Sequence, residues 1–145
     1  MLERHLFKAK RMDNGEWVKG ALCETSWGSS FIIKNDPNIV PDTIKVDPDT
    51  ICQCTGLKDK NGKLIFENDI VKDLFSDTAA PIRYGSYQNC FDSTKAGHVG
   101  FYVDWSGKYN KNYRKDLGYW IHMVDAEVIG NAIDNPELLE GSHDD

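Results

Sequence analysis

A basic and aromatic segment at residues 105–115 has the composition that best fits a binding site. It contains four cations, three aromatic rings and no acid. Interleaved cations and rings can follow a phosphate backbone and stack on bases. The residues of this candidate nucleic-acid patch are Trp105, Lys108, Tyr109, Lys111, Tyr113, Arg114 and Lys115. We nevertheless favour a polar connection between strands, because the chain has a net charge of −6 and Asp104 and Asp116 bound the segment.

Two cysteines, Cys52 and Cys54, raise the question of a metal site. They are separated by one residue, so both thiols would face the same side of a strand. Structural zinc sites use more widely spaced cysteine pairs and a full set of ligands. The other potential ligands are scattered along the chain: Cys23, Cys90, His98 and His122. We therefore expect no metal and no cofactor, and interpret the paired cysteines as small buried hydrophobes.

Motifs of enzymatic catalysis are not found in the sequence. There is no Gly-x-Ser-x-Gly turn, no Gly-x-Gly-x-x-Gly fingerprint and no phosphate-binding loop. His98 and His122 lie in two aromatic segments, near Asp104 and Asp125, but no nucleophile accompanies them in a recognisable pattern. The sequence predicts no catalytic residues.

Composition defines a soluble globular chain. Of 145 residues, 40% are hydrophobic and 28% charged, which excludes disordered and low-complexity classes. No apolar run approaches the ~20 residues of a membrane span, and residues 1–5 do not resemble a signal peptide. We expect a cytoplasmic protein, with no membrane association and reduced cysteines.

Short strands and turns dominate the pattern. Residues 6–11 and 17–22 are predicted to form an N-terminal β-hairpin, because Asn14 and Gly15 between them are typical of a tight turn. Further strands are predicted at 30–34, 43–46, 50–55, 64–66, 70–72, 98–105, 117–124 and 126–131. Residues 73–96 show no clean period and are interpreted as a loop. Asn135 and Pro136 begin one helical turn. The predicted class is mainly β.

Three segments together resemble the YopX family of phage and prophage proteins. Residues 11–20 are similar to that family's N-terminal hairpin. Residues 53–71 carry the long pattern Q-x-T-G-L-K-D-K-N-G-K-x-I-x-E-x-D-I-V, and residues 127–139 are similar to the family's C-terminal close. The resemblance covers nearly the whole chain, except for the variable region 73–125. It implies a mainly β fold with a small barrel-like body, a location in the cytoplasm of a bacterial host cell, and an accessory role whose biochemistry is not established.

This sequence departs from the family pattern at two places. Cys52 and Cys54 stand where the family commonly has a glycine and an aromatic residue around Gln53. Asn68 stands where glycine is usual in E-G-D-I-V. Both departures look like local variation, and the first weakens a metal interpretation of the cysteines.

The most specific motif has a structural explanation. Five of its residues are expected to build turns: Gly56, Asn61, Gly62, Glu67 and Asp69. Glycine supplies backbone freedom, and Asp69 is expected to accept hydrogen bonds from turn amides. The lysines nearby would stand in solvent among acids.

These observations predict one domain, residues 1–145, with candidate sub-lobes at about 1–48 and 49–140 and a frayed acidic tail at 141–145. The expected function is non-enzymatic binding to a protein partner, including self-association into a homo-oligomer through an exposed edge of the N-terminal hairpin. The alternative is nucleic-acid binding through residues 105–115.

Overall fold

The chain divides into two compact units, Met1–Gly56 and Leu57–Asp145. The structure, a computed structural model, describes residues 3–34, 42–72, 79–88, 97–105, 115–122 and 126–140, without the side chains of Arg4, His122 and Glu140. The division falls inside a strand, and not after residue 48 as the proline-rich segment had suggested. The acidic tail at 141–145 lies outside the described residues.

Strands make up most of the described chain. The strands are β1 (Phe7–Lys10), β2 (Trp17–Glu24), β3 (Ser30–Lys34), β4 (Asp42–Val46), β5 (Cys52–Lys58), β6 (Leu64–Phe66), β7 (Asp69–Lys72), β8 (Ala79–Tyr87), β9 (His98–Val103) and β10 (Glu127–Asn131). The helices are α1 (Leu117–His122) and α2 (Glu137–Glu140), with 3-10 turns at Glu3–His5 and Pro48–Thr50. None of the described helices is long and apolar enough to cross a membrane.

The first unit is an antiparallel sheet in the order β4-β3-β2-β1-β5. The N-terminal hairpin forms as predicted, and Gly15 closes its turn at a φ of 74°, a conformation that glycine adopts without steric cost. The expectation of an exposed hairpin edge is wrong, because β1 pairs with both β2 and β5 and β2 also pairs with β3. The core of this unit contains Ala9, Val18, Ile32, Ile44 and Val46.

This sheet curls, so that the end of β4 also bonds to the chain after β1. The Met12 N–H donates to the Lys45 carbonyl at 3.0 Å, and the Asp47 N–H donates to the Lys10 carbonyl at 2.8 Å. Gly20 allows a close approach of β2 to β3, since a Cβ there would lie 2.3 Å from the Ile33 carbonyl oxygen. The small apolar core of the first unit lies on the inner face of this curled sheet.

The second unit begins with the last residues of β5, and β6 is the next strand beside β5 in the first sheet. The second unit also contains a separate four-stranded antiparallel sheet in the order β10-β7-β8-β9. The mainly β class is confirmed. The body that was expected to be barrel-like is an open sheet, and neither sheet of the described residues closes into a barrel. The core of this unit contains Ile65, Val71, Ala80, Ile82, Val103, Trp105, Leu117, Trp120 and Ala126.

Two predictions of secondary structure made from the sequence are wrong. Residues 117–124 were expected to form an aromatic strand, but Leu117–His122 is the helix α1, in which Leu117 and Trp120 turn the same face into the core. Residues 73–96 were interpreted as a loop, yet they contain the nine-residue strand β8. The short helix predicted after Pro136 is confirmed as α2.

Candidate binding surface

Among the described residues of the second unit, the most exposed aromatic side chain, Tyr84, lies in the β8–β9 hairpin. In the first half of β8 every residue from Ala79 to Ile82 is buried, whereas the second half is half-buried or exposed. Tyr84 lies opposite Phe101, and Tyr87 lies opposite His98. The hairpin therefore begins in the core and ends as a two-stranded tip with side chains on both faces. We call residues 83–87 and 98–102 the hairpin tip.

One face of the hairpin tip is apolar. Tyr84 is 57% exposed and Val99 is 72% exposed. The Tyr84 ring meets the Phe101 ring edge to face, with centroids 5.0 Å apart, an arrangement that aromatic pairs prefer. Ser86 lies exposed opposite Val99. A large apolar area that the fold leaves in water is a common mark of an interaction site.

The other face of the hairpin tip is a stack of polar aromatic rings. The Tyr87 ring lies 5.2 Å from the His98 ring and 5.1 Å from the Tyr102 ring, centroid to centroid. Arg83 lies opposite Tyr102. Burial raises the pKa of Tyr102, the carboxylate of Asp104 raises it further, and the Arg83 guanidinium opposes both. The phenol is therefore a neutral hydrogen-bonding group at physiological pH.

Within the described residues, β9 stands at one edge of its sheet. It pairs with β8 along its length, and on the other side its end is bonded to the segment before α1. There the Val103 N–H donates to the Lys115 carbonyl at 2.7 Å, and Tyr102 bridges Asp116. Among the strands described, none lies beside His98–Phe101 on that side. Such an edge can accept another strand.

The predicted nucleic-acid patch is only partly described. Trp105 is 2% exposed and packs against Trp120 at a centroid distance of 4.8 Å, so its ring is a core residue and does not lie open for stacking on a base. Lys115 is half-buried. The remaining patch residues lie outside the described chain: Lys108, Tyr109, Lys111, Tyr113 and Arg114.

The motif residues build turns. Gly56 and Gly62 have φ angles of 83° and 81°, which favour glycine. Asp69 is 2% exposed, and its Oδ2 accepts a hydrogen bond from the Phe66 N–H at 2.8 Å, the turn contact expected of it. Glu67 is half-buried. Asn61 donates from its side chain to Glu127 at 3.4 Å, which reaches from the hairpin to β10.

Sequence reasoning missed Asp59, which is the centre of this motif. Asp59 is 6% exposed, and its Oδ1 accepts from the N–H groups of Asn61 and Lys63, both at 2.9 Å. Its Oδ2 accepts from the Val128 N–H at 2.9 Å. The available signal was an aspartate opening an Asn-Gly turn, but the surrounding lysines made it look like a surface acid.

The cysteines behave as small apolar residues. Cys52 and Cys54 are fully buried on one side of β5, where the Cys52 thiol donates to the Thr50 carbonyl at 3.3 Å and the Gly56 N–H donates to Cys54 Sγ at 3.4 Å. Cys23 is exposed. The described residues contain no group of His, Cys, Asp or Glu side chains that could hold a metal ion.

The chain is an all-β protein built from two small units, with two open antiparallel sheets. Its distinctive features are the turn centred on Asp59 and the aromatic β8–β9 hairpin. The YopX protein family model matches residues 6–140, and the chain belongs to that family. The crystal structure of protein EF1440 from Enterococcus faecalis is similar, with 25% sequence identity, a TM-score of 0.51, and coverage of 92% of this chain and 96% of that one. No curated protein matches the chain significantly.

Proposed function

We propose that this YopX-family protein is a phage or prophage accessory protein that acts by binding another protein in the bacterial cytoplasm, without catalysis and without a cofactor. The first partner to consider is a second copy of the chain. The observation that carries the proposal is the apolar face of the hairpin tip, where Tyr84 and Val99 stand mostly in water beside Phe101.

The chemistry of this face suits a protein partner. Exposed aromatic and branched apolar side chains contribute most to affinity where they enter a partner's pocket, and aromatic residues are enriched at such positions. The adjoining edge of β9 offers backbone groups for strand addition. Apolar contacts and a strand edge that has no neighbour among the described strands are complementary on the same hairpin, since the edge fixes register and the side chains provide specificity.

The alternative predicted from sequence, nucleic-acid binding through residues 105–115, gains no support from the residues described. Trp105 belongs to the core, and the segment between it and Lys115 lies outside the described chain. We therefore retain protein binding as the proposal.

The test compares the wild type with a variant carrying Tyr84→Thr and Val99→Thr, which removes apolar area but keeps strand propensity. The matched control is Trp27→Thr, because Trp27 is 79% exposed in a turn of the first unit. Size-exclusion chromatography with light scattering should show a concentration-dependent oligomer for the wild type and the control, and a monomer for the hairpin variant.

A heterologous partner is tested by affinity capture from prophage-induced host cells, with and without nuclease. Capture that resists nuclease, requires the two hairpin side chains and survives Trp27→Thr supports the proposal. A wild type that is monomeric at all concentrations and captures the same proteins as the hairpin variant contradicts it.

A further inference from the structure

The edge strand β9 does not carry the residues that normally keep a strand edge from pairing. Natural edges are protected by lysines, prolines or bulges that hinder the addition of another strand. The strand His98–Val103 contains no lysine, no acidic residue and no proline, and its register with β8 has no shift. By contrast, the outer strand β4 of the first unit carries Asp42 and Lys45. The edge of β9 is therefore suited to pairing.

The backbone groups of Val99 and Phe101 face away from β8. The Val103 N–H donates to the Lys115 carbonyl at 2.7 Å, on the side of β9 that lies away from β8. In an antiparallel ladder this direction repeats at every second residue, so Val99 and Phe101 present their N–H and C=O groups on the same side as Val103. Among the described strands, none lies beside these two residues there.

The edge that a second strand can pair with has a natural centre. Tyr102 already bridges Asp116, so the stretch available for pairing ends at Phe101, and the described residues before this bridge begin at 97. Val99 is the middle residue of 97–101. Its side chain is 72% exposed, and its backbone groups point outward, as a residue on the axis of a symmetric strand pair requires.

The side chains of this stretch are complementary to a second copy of the same stretch. An antiparallel pair centred on Val99 places Val99 opposite its own copy and Phe101 opposite Gly97. A Cβ at Gly97 would meet no described atom within 4 Å, so the backbone there leaves open surface for a ring. An aromatic residue opposite an edge glycine is a stabilising cross-strand combination.

The same pairing would extend the core of the second unit. Ile82 and Val103 lie opposite each other and are fully buried. The next pair on this face, Tyr84 and Phe101, and then Val99 are progressively more exposed. Two copies joined at Val99 would bring their exposed ends together and remove this apolar surface from water.

We propose that two copies of the chain form a dimer by pairing β9 with β9, antiparallel, about a two-fold axis at Val99. The Val99 N–H and C=O would bond to the Val99 C=O and N–H of the second copy, and the Phe101 N–H would donate to its Gly97 carbonyl. The two four-stranded sheets would thus become one. Such an isologous contact closes with two subunits and does not grow into a filament.

This proposal rests on the hairpin tip being the binding surface proposed above, and it adds the partner, the strand direction and the register. A disulfide at the axis tests the register. Val99→Cys is made in a chain with Cys23→Ser and Cys90→Ser and is oxidised with copper phenanthroline. Opposite residues of a hydrogen-bonded pair have Cα atoms ~5.5 Å apart, within disulfide range. We expect a covalent dimer that dithiothreitol returns to monomer.

The matched control is Ser86→Cys in the same chain. Ser86 is exposed and lies opposite Val99 on β8. In the proposed dimer the two copies of residue 86 are separated by three strand spacings, about 14 Å, which a disulfide cannot span. We expect the control to form no more covalent dimer than the parent chain without either new cysteine.

Val99→Pro tests the backbone hydrogen bonds. Proline removes the N–H that faces the second copy, whereas the bonds to β8 come from the neighbouring positions. The dimer dissociation constant, measured by sedimentation, should rise about tenfold or more. Val99→Ile keeps the donor and should change the constant less than about threefold. If the urea midpoint shows that Val99→Pro does not fold, the cross-linking comparison decides.

The outcomes separate this proposal from the proposed function. A hairpin variant, Tyr84→Thr with Val99→Thr, that dissociates the oligomer while Val99→Cys cross-links no better than Ser86→Cys overturns the β9 pairing and leaves protein binding by the hairpin tip intact. A wild type that is monomeric but captures another protein through the hairpin tip does the same. Selective cross-linking of Val99→Cys, with weaker dimerisation of Val99→Pro wherever that variant folds, supports the pairing.

Discussion

The buried carboxylate of Asp59 should contribute strongly to the stability of the second unit. It is 6% exposed and accepts three backbone hydrogen bonds, from Asn61, Lys63 and Val128, each at 2.9 Å. Two of these bonds close the β5–β6 turn, and the third ties that turn to β10. Removal of the carboxylate would open the turn and the contact with β10 at the same time.

The expected magnitude follows from the charge and the number of bonds. A hydrogen bond to a charged group contributes about 1.5–3 kcal/mol, and three bonds that share one carboxylate are not additive. Asp59→Ala should therefore lower the free energy of unfolding by about 3–5 kcal/mol. Asp59→Asn keeps one acceptor oxygen and loses the charge, and should cost about 2 kcal/mol.

The pH dependence has a definite sign. Burial alone would raise the pKa of Asp59, but the N–H groups of Val128, Lys63 and Asn61 and the charge of Lys63 outweigh it and lower the pKa below its usual value. A lowered folded-state pKa means that the stabilisation is present above the unfolded-state pKa and is lost as the pH falls through the folded-state pKa. The wild type should lose this contribution below about pH 4, and Asp59→Asn should not.

Urea denaturation followed by tryptophan fluorescence measures both effects, because Trp105 and Trp120 lie in the core of the second unit. The matched control is Asp13→Asn. The pKa of Asp13 is also lowered, by a hydrogen bond from Arg11, but Asp13 is exposed and its ion pair is at the surface. We expect the control to leave the urea midpoint unchanged. Equal midpoints for Asp59→Asn and Asp13→Asn at neutral pH would refute the reasoning.

Two further substitutions test the packing of each unit. Gly20→Ala places a Cβ 2.3 Å from the Ile33 carbonyl oxygen and should lower the stability of the first unit by about 1–3 kcal/mol; an unchanged melting temperature would contradict the close approach of β2 and β3. Asp69→Ala removes the acceptor of the Phe66 N–H and should cost at least about 1 kcal/mol, whereas an unaltered urea midpoint would show that the bond contributes nothing.

Much of the strand pattern could be predicted because it depends on local signals. The Asn14-Gly15 turn defined the first hairpin, β-branched and aromatic composition defined β3, and the acidic turn before Ile70 marked the start of β7. The strand β8 was missed because Pro81 and Gly85 interrupt it, and a proline removes a donor from a strand. Pro81 still takes part in the sheet as an acceptor, because its carbonyl accepts from the Asp104 N–H at 2.9 Å.

The helix α1 was missed for a different reason. Its aromatic and branched residues favour a strand by composition, and six residues are too few to display a helical period. Packing decides the conformation, because Leu117 and Trp120 are both buried when the segment is helical, with Trp120 against Trp105. This is a case in which tertiary contacts override local propensity.

The candidate binding surface could not be predicted, because it depends on strand register. The sequence separates Tyr84 from Phe101 by more than ten residues. Only the pairing of β8 with β9 brings the two rings together on one face. A composition search finds clusters along the chain, as it found residues 105–115, but it does not find clusters across strands.

Asn68, which stands where the family pattern has glycine, makes a side-chain hydrogen bond that glycine cannot make. Asn68 has a φ of 72°, in the left-handed region that glycine, and less often asparagine, occupies. Its backbone N–H donates to the Ile82 carbonyl, its carbonyl accepts from the Ala132 N–H, and its side-chain oxygen accepts from Arg83. A glycine would fit the backbone but could not bond Arg83, which begins the hairpin tip. The asparagine thus supports the base of the surface that we propose as the protein-binding site, through a contact that the common family residue cannot make.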